Sequence, residues 1–185
     1  GVIEHGSIKE IQALAKEMVL KSVDFGIPQN RQRIYIVLWR DGEIESFEYP
    51  EPLGIEVKVG DKLEESPDPK LTISDRLWEG HQRRKIENKK KGKGFGFGLV
   101  TEESPYTNTI SARYYKDGSE ILIDQVGKNP RKISPREAAR LQGFPDNFKI
   151  VVSDAQAYKQ FGNSVAVPAI QATAEKIIEK IANRC

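Results

Sequence analysis

The chain has 185 residues, with 29 lysines and arginines against 27 aspartates and glutamates, and a formal net charge of +2. This length suits one ordinary domain, or one lobe with a small insert, and is sufficient to bury a core. Hydrophobic residues make up 38% and charged residues 30%, which excludes a disordered chain. No apolar run approaches the roughly 20 residues of a membrane-spanning helix, and the first residues lack the pattern of a signal peptide.

Cysteine and histidine are scarce. The single cysteine, Cys185, is the last residue, which excludes a disulfide framework and a cysteine zinc cluster and favours a reducing cytosol. It has no neighbouring base, so a nucleophilic role is not expected. His5 and His81 have no partners at the spacing of metal ligands. The sequence therefore predicts no metal site.

Positive charge is concentrated in residues 76–95, which carry eight basic and two acidic residues, or +6, and leave −4 for the rest of the chain. Such a stretch favours a polyanionic partner such as nucleic acid. A solvated basic loop without a binding role is the alternative, because many blocks of like charge are simply exposed to water. The basic residues are Arg76, Arg83, Arg84, Lys85, Lys89, Lys90, Lys91 and Lys93.

The N-terminal segment predicts a helix and then a strand. Ser7 and Glu10 form a capping box before apolar residues at helical spacing. Gly26 and Pro28 mark a turn, and residues 33–38 are rich in β-branched and aromatic side chains, which predicts a strand. On that strand two sets of side chains would face opposite sides: Ile34, Ile36 and Leu38 on one, and Gln29, Arg31 and Arg33 on the other.

Residues 41–132 predict a small β-rich insert that carries the basic stretch. Proline and glycine are frequent there and helical periodicity is poor. Short strands are predicted at 54–59, 107–115 and 120–126, with a hairpin turn at Asp117-Gly118. The stretch 92–98, GKGFGFG, has no strand before it and no helix after it, so it fits a flexible loop that meets nucleic acid better than a nucleotide-binding turn.

The last third predicts two helices. Ser134, Pro135 and Glu137 supply a cap, a first-turn proline and a capping-box glutamate, and Gly143 marks the helix end. A final helix is predicted from about Val167, because isoleucines and alanines there recur at helical spacing.

Two segments have residue types that suit chemistry. In GIPQNRQR, arginines alternate with a glutamine beside the predicted strand, either as a guanidinium fork for a base or phosphate or as the polar face of an edge strand. In QFGNSVAVPAI, residues 160–170, a Gly-Asn-Ser turn precedes a helix, and it either binds a ligand or simply caps the helix. The residues alone leave both alternatives open.

Taken together, the segments resemble the C-terminal portion of the cytosine-5 DNA methyltransferase family, of the bacterial restriction-modification type. FGIPQNRQRIYIV resembles the family's Gln-x-Arg-x-Arg motif, RKISPREAARLQGFPDNF the next conserved block, and YKQFGNSVAVP the last. The roughly ninety residues between the first two occupy the place of the family's target-recognition domain. The resemblance implies an α/β fold: the C-terminal part of a Rossmann-like S-adenosylmethionine-dependent methyltransferase lobe plus a small β-rich target-recognition domain. The implied divisions are residues 1–44, 45–132 and 133–185.

The resemblance also implies roles for single residues. Enzymes of this family methylate carbon 5 of a flipped cytosine after a thiolate attacks carbon 6. Arg33 would hold the O2 side of that cytosine, Arg31 would support the site and a nearby phosphate, and Gln29 would fix the strand beside the DNA. The block from 134 to 148 would brace the recognition domain.

Cofactor and DNA contacts follow from the same resemblance. S-adenosylmethionine would be bound with the help of Asn163, Ser164 and Val165. Recognition loops would contact double-stranded DNA, and Arg113 with its two tyrosine neighbours would meet base edges in the major groove. The implied DNA contacts are Gln29, Lys91, Lys93, Arg113, Tyr114 and Tyr115.

Three parts of the family pattern do not occur in this sequence: the Phe-x-Gly-x-Gly cofactor turn, the Pro-Cys loop of the nucleophile and the Glu-Asn-Val strand. The resemblance therefore implies a C-terminal subunit or fragment that needs an N-terminal half for methyl transfer and for joint binding of the cofactor. The sheet edge left by that half would form a large apolar interface, and the complex would act on DNA in the bacterial cytosol. An autonomous DNA-binding remnant without catalysis is the alternative, and an unstable truncated product is a third possibility.

Overall fold

The structure is a computed structural model that describes residues 8–40 and 46–182. Ser7, the predicted helix cap, lies outside these residues, as do His5 and Cys185. The described helices and strands are α1 (Ile8–Glu17), β1 (Val19–Lys21), β2 (Gln32–Ile34), α2 (Asp75–Lys90), β3 (Leu99–Val100), β4 (Leu122–Ile123), β5 (Arg131–Lys132), α3 (Pro135–Arg140), α4 (Asp154–Asn163) and α5 (Val167–Ala182).

The strands form two small sheets. β1 pairs with β2 in antiparallel fashion and places Leu20 opposite Arg33. In the second sheet β4 is central, parallel to β3 and antiparallel to β5. Helices and sheets are thus mixed along the chain, in agreement with the predicted α/β class. Within the described residues, no helix is long and apolar enough to cross a membrane.

The predicted strand at 33–38 is shorter than expected, because β2 ends at Ile34. The apolar residues at the end of β2 and after it are exposed: Ile34 by 59%, Ile36 by 68% and Leu38 by 87%. The polar residues Gln29 and Arg31 are buried instead. Along this segment the apolar residues are therefore exposed and the polar ones buried, the reverse of the usual arrangement. The buried side chains of Gln29 and Arg31 need hydrogen-bond partners in the protein.

The insert is less β-rich than predicted and contains the 16-residue helix α2. Ser74 caps this helix by accepting a hydrogen bond from the Leu77 amide. The sequence signal is weak because most of α2 is exposed and only His81 is fully buried, so apolar periodicity is not required there. Arginine, lysine and glutamate still favour a helix by their intrinsic propensity.

The predicted strands of the insert are mostly absent among the described residues. Residues 54–58 are irregular and precede a 3₁₀ helix, Val59–Lys62, while 107–115 consists of one β-bridge followed by turns. The third predicted strand is reduced to β4. Gly118 takes a left-handed φ of 66°, so a turn forms at Asp117-Gly118 as predicted, but it does not join two paired strands.

The larger hydrophobic core combines the insert with the C-terminal helices. Ile110, Tyr114 and Ile121 of the insert pack with Leu141 after α3 and with Phe161 of α4. The core thus crosses position 132, where the recognition domain was predicted to end, and the domain boundaries stay predictions. A second, smaller core consists of Leu20, Phe25, Tyr35, Ala166 and Ala169.

Helix α3 begins as predicted. The Ser134 hydroxyl accepts from the Glu137 amide, and the Glu137 carboxylate accepts from the Ser134 amide at 2.8 Å. Glu137 also binds both terminal nitrogens of Arg131 at 2.8 Å in a buried ion pair that joins β5 to α3. Gly143 follows the helix with a left-handed φ of 80°. Helix α4 was not predicted.

Candidate functional site

Three segments meet at one place, which we call the junction: residues 27–31, 107–112 and 162–164. The Thr107 amide donates to the Pro28 carbonyl at 2.9 Å, and the Asn30 amide donates to the Thr107 carbonyl at 2.8 Å. The Thr109 hydroxyl donates to the Asn30 carbonyl at 2.6 Å. Part of the insert therefore lies along the Gln-x-Arg-x-Arg segment.

Gln29 is completely buried at this junction. Its Nε2 donates to the Leu141 carbonyl at 2.5 Å, and its Oε1 accepts from the Ile110 amide at 3.0 Å. The side chain thereby ties the motif to the insert and to the end of α3. Because no part of it reaches the surface, the predicted contact between Gln29 and DNA is not supported.

Arg31 is the centre of the junction and is 2% exposed. Its guanidinium donates to the carbonyls of Ile110 at 3.1 Å, Gly162 at 3.0 Å and Ser164 at 2.5 Å. The carbonyls at the end of α4 lack partners within the helix, and a cation there also opposes the negative end of the helix dipole. Burial, and then the neighbouring charge of Arg33, lower the pKa of Arg31 to about 10, so the side chain is charged at neutral pH.

Gly162 brings the last motif directly against the insert. A Cβ at this position would lie 2.4 Å from the carbonyl carbon and oxygen of Ser111 and 2.5 Å from the Ala112 amide nitrogen. Only glycine permits this approach of two backbones. The predicted cofactor turn and the predicted recognition segment are therefore in direct contact.

Arg33 lies on β2 with an exposed side chain that donates to the Gln32 carbonyl at 2.6 Å. It lines a groove of about 450 Å³ together with Val165. The structure thus brings a predicted catalytic residue and a predicted cofactor residue to one groove. Its other lining residues are Ile34, Tyr35, Ile36, Val37, Leu38, Ile170, Thr173 and Ile177.

The other two predicted cofactor residues differ in exposure. The Asn163 side chain is exposed at the last position of α4. The Ser164 hydroxyl donates to the Phe161 carbonyl at 2.9 Å and its amide bonds to the Gln160 carbonyl. Ser164 thus closes the helix, so capping and ligand binding are compatible at this turn rather than exclusive.

The predicted DNA-binding residues do not all reach the surface. Lys91, Lys93, Arg113 and Tyr115 are exposed. Tyr114 is fully buried: its hydroxyl donates to the Ile121 carbonyl at 2.6 Å and accepts from the Ile133 amide at 2.9 Å. Burial raises the pKa of Tyr114 well above its ordinary value. The predicted contact of Tyr114 with a base is therefore not supported, because the ring belongs to the core.

His81, for which no role was predicted, is also completely buried. Its Nε2 lies 3.2 Å from the Asp117 carbonyl, while Nδ1 has no hydrogen-bond partner. Burial lowers the pKa of the imidazole. Among the described residues, no three His, Cys, Asp or Glu side chains are grouped to hold a metal ion.

The sequence matches a family described as C-5 cytosine-specific DNA methylase over residues 14–179. Because the match covers most of the chain, the protein belongs to the cytosine-5 DNA methyltransferase family.

Its relatives are of the restriction-modification type. It is 67% identical to the Type II methyltransferase M.NlaX of Neisseria lactamica over 86% of this chain and 50% of that protein. It is 61% identical to M.SsoII of Shigella sonnei over 95% of this chain and 47% of that protein. The chain thus spans about half the length of the curated relatives it matches.

A solved structure shares the fold. The crystal structure of S. pombe Dnmt2 methyltransferase aligns with a TM-score of 0.65 at 18% identity, covering 98% of this chain and 64% of that one. This likeness confirms the α/β methyltransferase fold class.

Proposed function

We propose that this chain is the C-terminal part of a DNA (cytosine-5)-methyltransferase and supplies DNA recognition, part of the flipped-cytosine pocket and part of the S-adenosylmethionine site. One observation carries the proposal: the Arg31 guanidinium binds both the insert and the turn of the last motif. A single buried cation therefore holds together the Gln-x-Arg-x-Arg segment, the insert and the last motif.

In this proposal Arg33 is the residue that contacts the flipped cytosine. Its guanidinium is exposed on the groove and offers planar N–H donors, which suit the O2 acceptor of the base. Arg31 does not reach DNA in this proposal, because its terminal nitrogens already bind three carbonyls. Its role is to position β2 and the cofactor turn.

The residues of the last motif fit part of S-adenosylmethionine. Val165 is 42% exposed and lies beside apolar groove walls that suit an adenine ring. The exposed Asn163 amide suits polar groups of the ribose or amino acid moiety, and Ser164 holds the turn in place. When bound, the cofactor supplies a methyl group on a sulfonium, and the N-terminal half completes its site.

DNA is bound by the exposed basic and aromatic residues of the insert. Lys91 and Lys93 contact phosphates, while Arg113 and Tyr115 meet base edges. The local charge of +6 gives this surface its attraction for duplex DNA.

The N-terminal half covers the exposed apolar residues at the end of β2, in the segment after it and in the first turn of α5, and the cofactor lies between the two halves. Ile34, Ile36, Leu38 and Ile170 are between 41% and 87% exposed and border one groove. A contiguous apolar patch of this kind marks an interaction surface. The proposed occupant carries the Pro-Cys nucleophile, the Phe-x-Gly-x-Gly turn and the Glu-Asn-Val strand, whether joined to this chain or separate from it.

Reconstitution tests the proposal. The chain is combined with the N-terminal half of the M.NlaX relative, and transfer of labelled methyl groups from S-adenosylmethionine to duplex DNA is measured. We expect 5-methylcytosine in the product only when both halves are present, and none when the Pro-Cys cysteine is replaced by serine. A folded complex that binds DNA but transfers no methyl group would contradict the proposal.

The second candidate function is an autonomous DNA-binding module without catalysis, which the basic stretch favours. It predicts that this chain alone binds duplex DNA with an affinity that falls steeply as salt rises. Such binding, combined with an inactive reconstituted complex, would favour this second candidate.

A further inference from the structure

Helix α2 contacts two separate segments that the proposed function assigns to DNA. We call residues 91–98 the glycine loop and residues 113–119 the reader turn. The glycine loop carries Lys91 and Lys93, and the reader turn carries Arg113 and Tyr115. The two segments are separate in sequence and join directly at one point, where the Gly98 amide donates to the Ser119 carbonyl at 2.8 Å. This bond lies at the C-terminal end of both segments, so the residues that would meet DNA need a further support.

The glycine loop rests directly on α2. The Phe97 ring packs edge-on against Trp78 with ring centroids 4.9 Å apart, and the Lys85 ammonium lies 4.2 Å from the Phe97 centroid. Asn88 donates a hydrogen bond to the Phe95 carbonyl. A Cβ on Gly96 would lie 2.5 Å from the Lys85 Cβ, so the loop backbone touches the helix.

The reader turn is held by the same helix through Asp117. Arg84 Nη1 donates to Asp117 Oδ2 at 3.0 Å, and His81 Nε2 lies 3.2 Å from the Asp117 carbonyl. The other carboxylate oxygen, Oδ1, accepts from the Ser119 amide at 3.2 Å. Asp117 therefore links the backbone of the turn to the helix by both its side chain and its carbonyl.

We propose that α2, together with the Gly98–Ser119 hydrogen bond, fixes the relative placement of the two DNA-contacting segments and that Arg84 and Asn88 are positioning residues for DNA sequence choice. The inference rests on the proposed function, since it assumes that both segments meet DNA. Contacts that read base edges require placement within about half an ångström, which loops reach only when a rigid element supports them. Arg84 and Asn88 lie one helical turn apart and hold one segment each.

A purely electrostatic role of α2 is the competing explanation, and the helix offers a matched control. Arg83 is adjacent to Arg84, carries the same charge, and makes a distant ion pair of 4.0 Å with Glu87 on the exposed surface. It has no hydrogen bond to either DNA-contacting segment among the described residues. Arg83→Ala and Arg84→Ala remove equal charge but only the second removes a support.

The experiment uses the reconstituted enzyme with plasmid DNA, and bisulfite sequencing reports every methylated cytosine. For Arg84→Ala and Asn88→Ala we expect the ratio of methylation at cognate sites to that at single-mismatch sites to fall about tenfold, in the range that one mismatch commonly costs. The KM for DNA rises, while kcat at saturating cognate DNA and the KM for S-adenosylmethionine change less than about twofold. Asp117→Asn should behave like Arg84→Ala, and Arg84→Lys should recover most of the discrimination.

Arg83→Ala should raise the KM for DNA at low salt and leave site choice unchanged. Equal effects of Arg83→Ala and Arg84→Ala would overturn the inference in favour of phosphate attraction alone. Wild-type site choice in Arg84→Ala, Asn88→Ala and Asp117→Asn would also overturn it while leaving the proposed function intact. Failure of the wild-type complex to methylate DNA would instead contradict the proposed function, and this inference with it.

Discussion

Arg31 and Gln29 occupy core positions that apolar residues normally fill, because backbone groups of three segments converge on their side chains. Burial of a guanidinium requires hydrogen-bond partners, and here three carbonyls rather than carboxylates pair the two terminal nitrogens of Arg31, while its buried Nε has no partner among the described residues. The two arginines of one motif therefore have different physical roles, since Arg31 is buried and Arg33 is exposed.

Substitution of each arginine should separate these roles. Arg31→Lys leaves at least two buried carbonyls without a donor, so we expect the free energy of unfolding to fall by about 2 kcal/mol. Arg33→Ala should leave that free energy nearly unchanged and reduce methyl transfer far more than DNA binding. Urea unfolding and single-turnover methylation of the reconstituted enzyme measure the two effects. Equal stability losses in both variants would contradict this division.

His81 should make stability depend on pH. Its pKa is lowered from 6.5 in the folded chain because the ring is buried, so the unfolded chain binds the proton more readily. The neutral imidazole thus contributes fully above pH 6.5, and the free energy of unfolding falls as the pH decreases from 6.5 through the lowered pKa.

His81→Gln should remove this slope, which urea titrations at several pH values would reveal. Arg84 and Asp117 are the charged groups that act on the ring. For Asp117, burial raises the pKa, but hydrogen bonds from Arg84 and Ser119 outweigh burial and hold it below 3.8, so the carboxylate stays ionised. An equal slope in wild type and His81→Gln would show that another group titrates.

At the scale of elements, two helical glycines have opposite consequences. Gly162 in α4 has no room for a Cβ beside Ser111. A Cβ added to Gly80 in α2 would meet no atom of another segment within 4 Å. Gly162→Ala should therefore destabilise the chain by about 1–3 kcal/mol through overpacking at the junction. Gly80→Ala should stabilise it by up to about 1 kcal/mol through helix propensity.

Thermal unfolding of both glycine variants provides the measurement, and DNA and cofactor binding by the assembled enzyme show whether the junction is displaced. We expect Gly162→Ala to weaken both. A neutral effect of Gly162→Ala would mean that α4 and the insert can separate without loss.

The elements differ in how much of them could be predicted. Helix α3 follows from Ser134, Pro135 and Glu137, because its start depends on local hydrogen bonds that the sequence encodes directly. Helix α2 was missed, because its stability does not depend on a broad apolar face. The strands at 54–59 and 107–115 were predicted from local propensity, but tertiary contacts with the junction and with neighbouring loops determine their backbone instead.

At the scale of the molecule, the proposed function makes the exposed apolar face the surface on which the N-terminal half assembles. The Ile36 side chain is 68% exposed on that face, and this exposure to water should be unfavourable until the N-terminal half covers it. Ile36→Lys should reduce aggregation of this chain alone and weaken its association with that half. Val126→Lys is the control, because Val126 is fully exposed and does not line the groove. Light scattering and co-purification measure the two outcomes, and identical behaviour of both variants would contradict the assignment.

The sequence proposed the candidate residues of the site, which stay predictions, but it could not predict their contacts. The order of the motifs singled out Gln29, Arg31, Arg33 and the turn at 163–165, because each motif is a short segment that can be read directly from the sequence. Whether each side chain faces the surface depends on long-range packing, and so Gln29 and Tyr114 were expected at DNA but are fully buried. The support of two loops by one helix likewise involves residues far apart in the sequence.

If the insert reads DNA as proposed, the continuity of the larger core across position 132 limits how specificity can be transplanted between relatives. A chimaera cut at that position would part Ile110 and Tyr114 from Leu141 and Phe161 and expose the freshly divided faces to water. The exchangeable unit is therefore larger than the recognition loops and extends through α3 and α4 to the turn after Asn163.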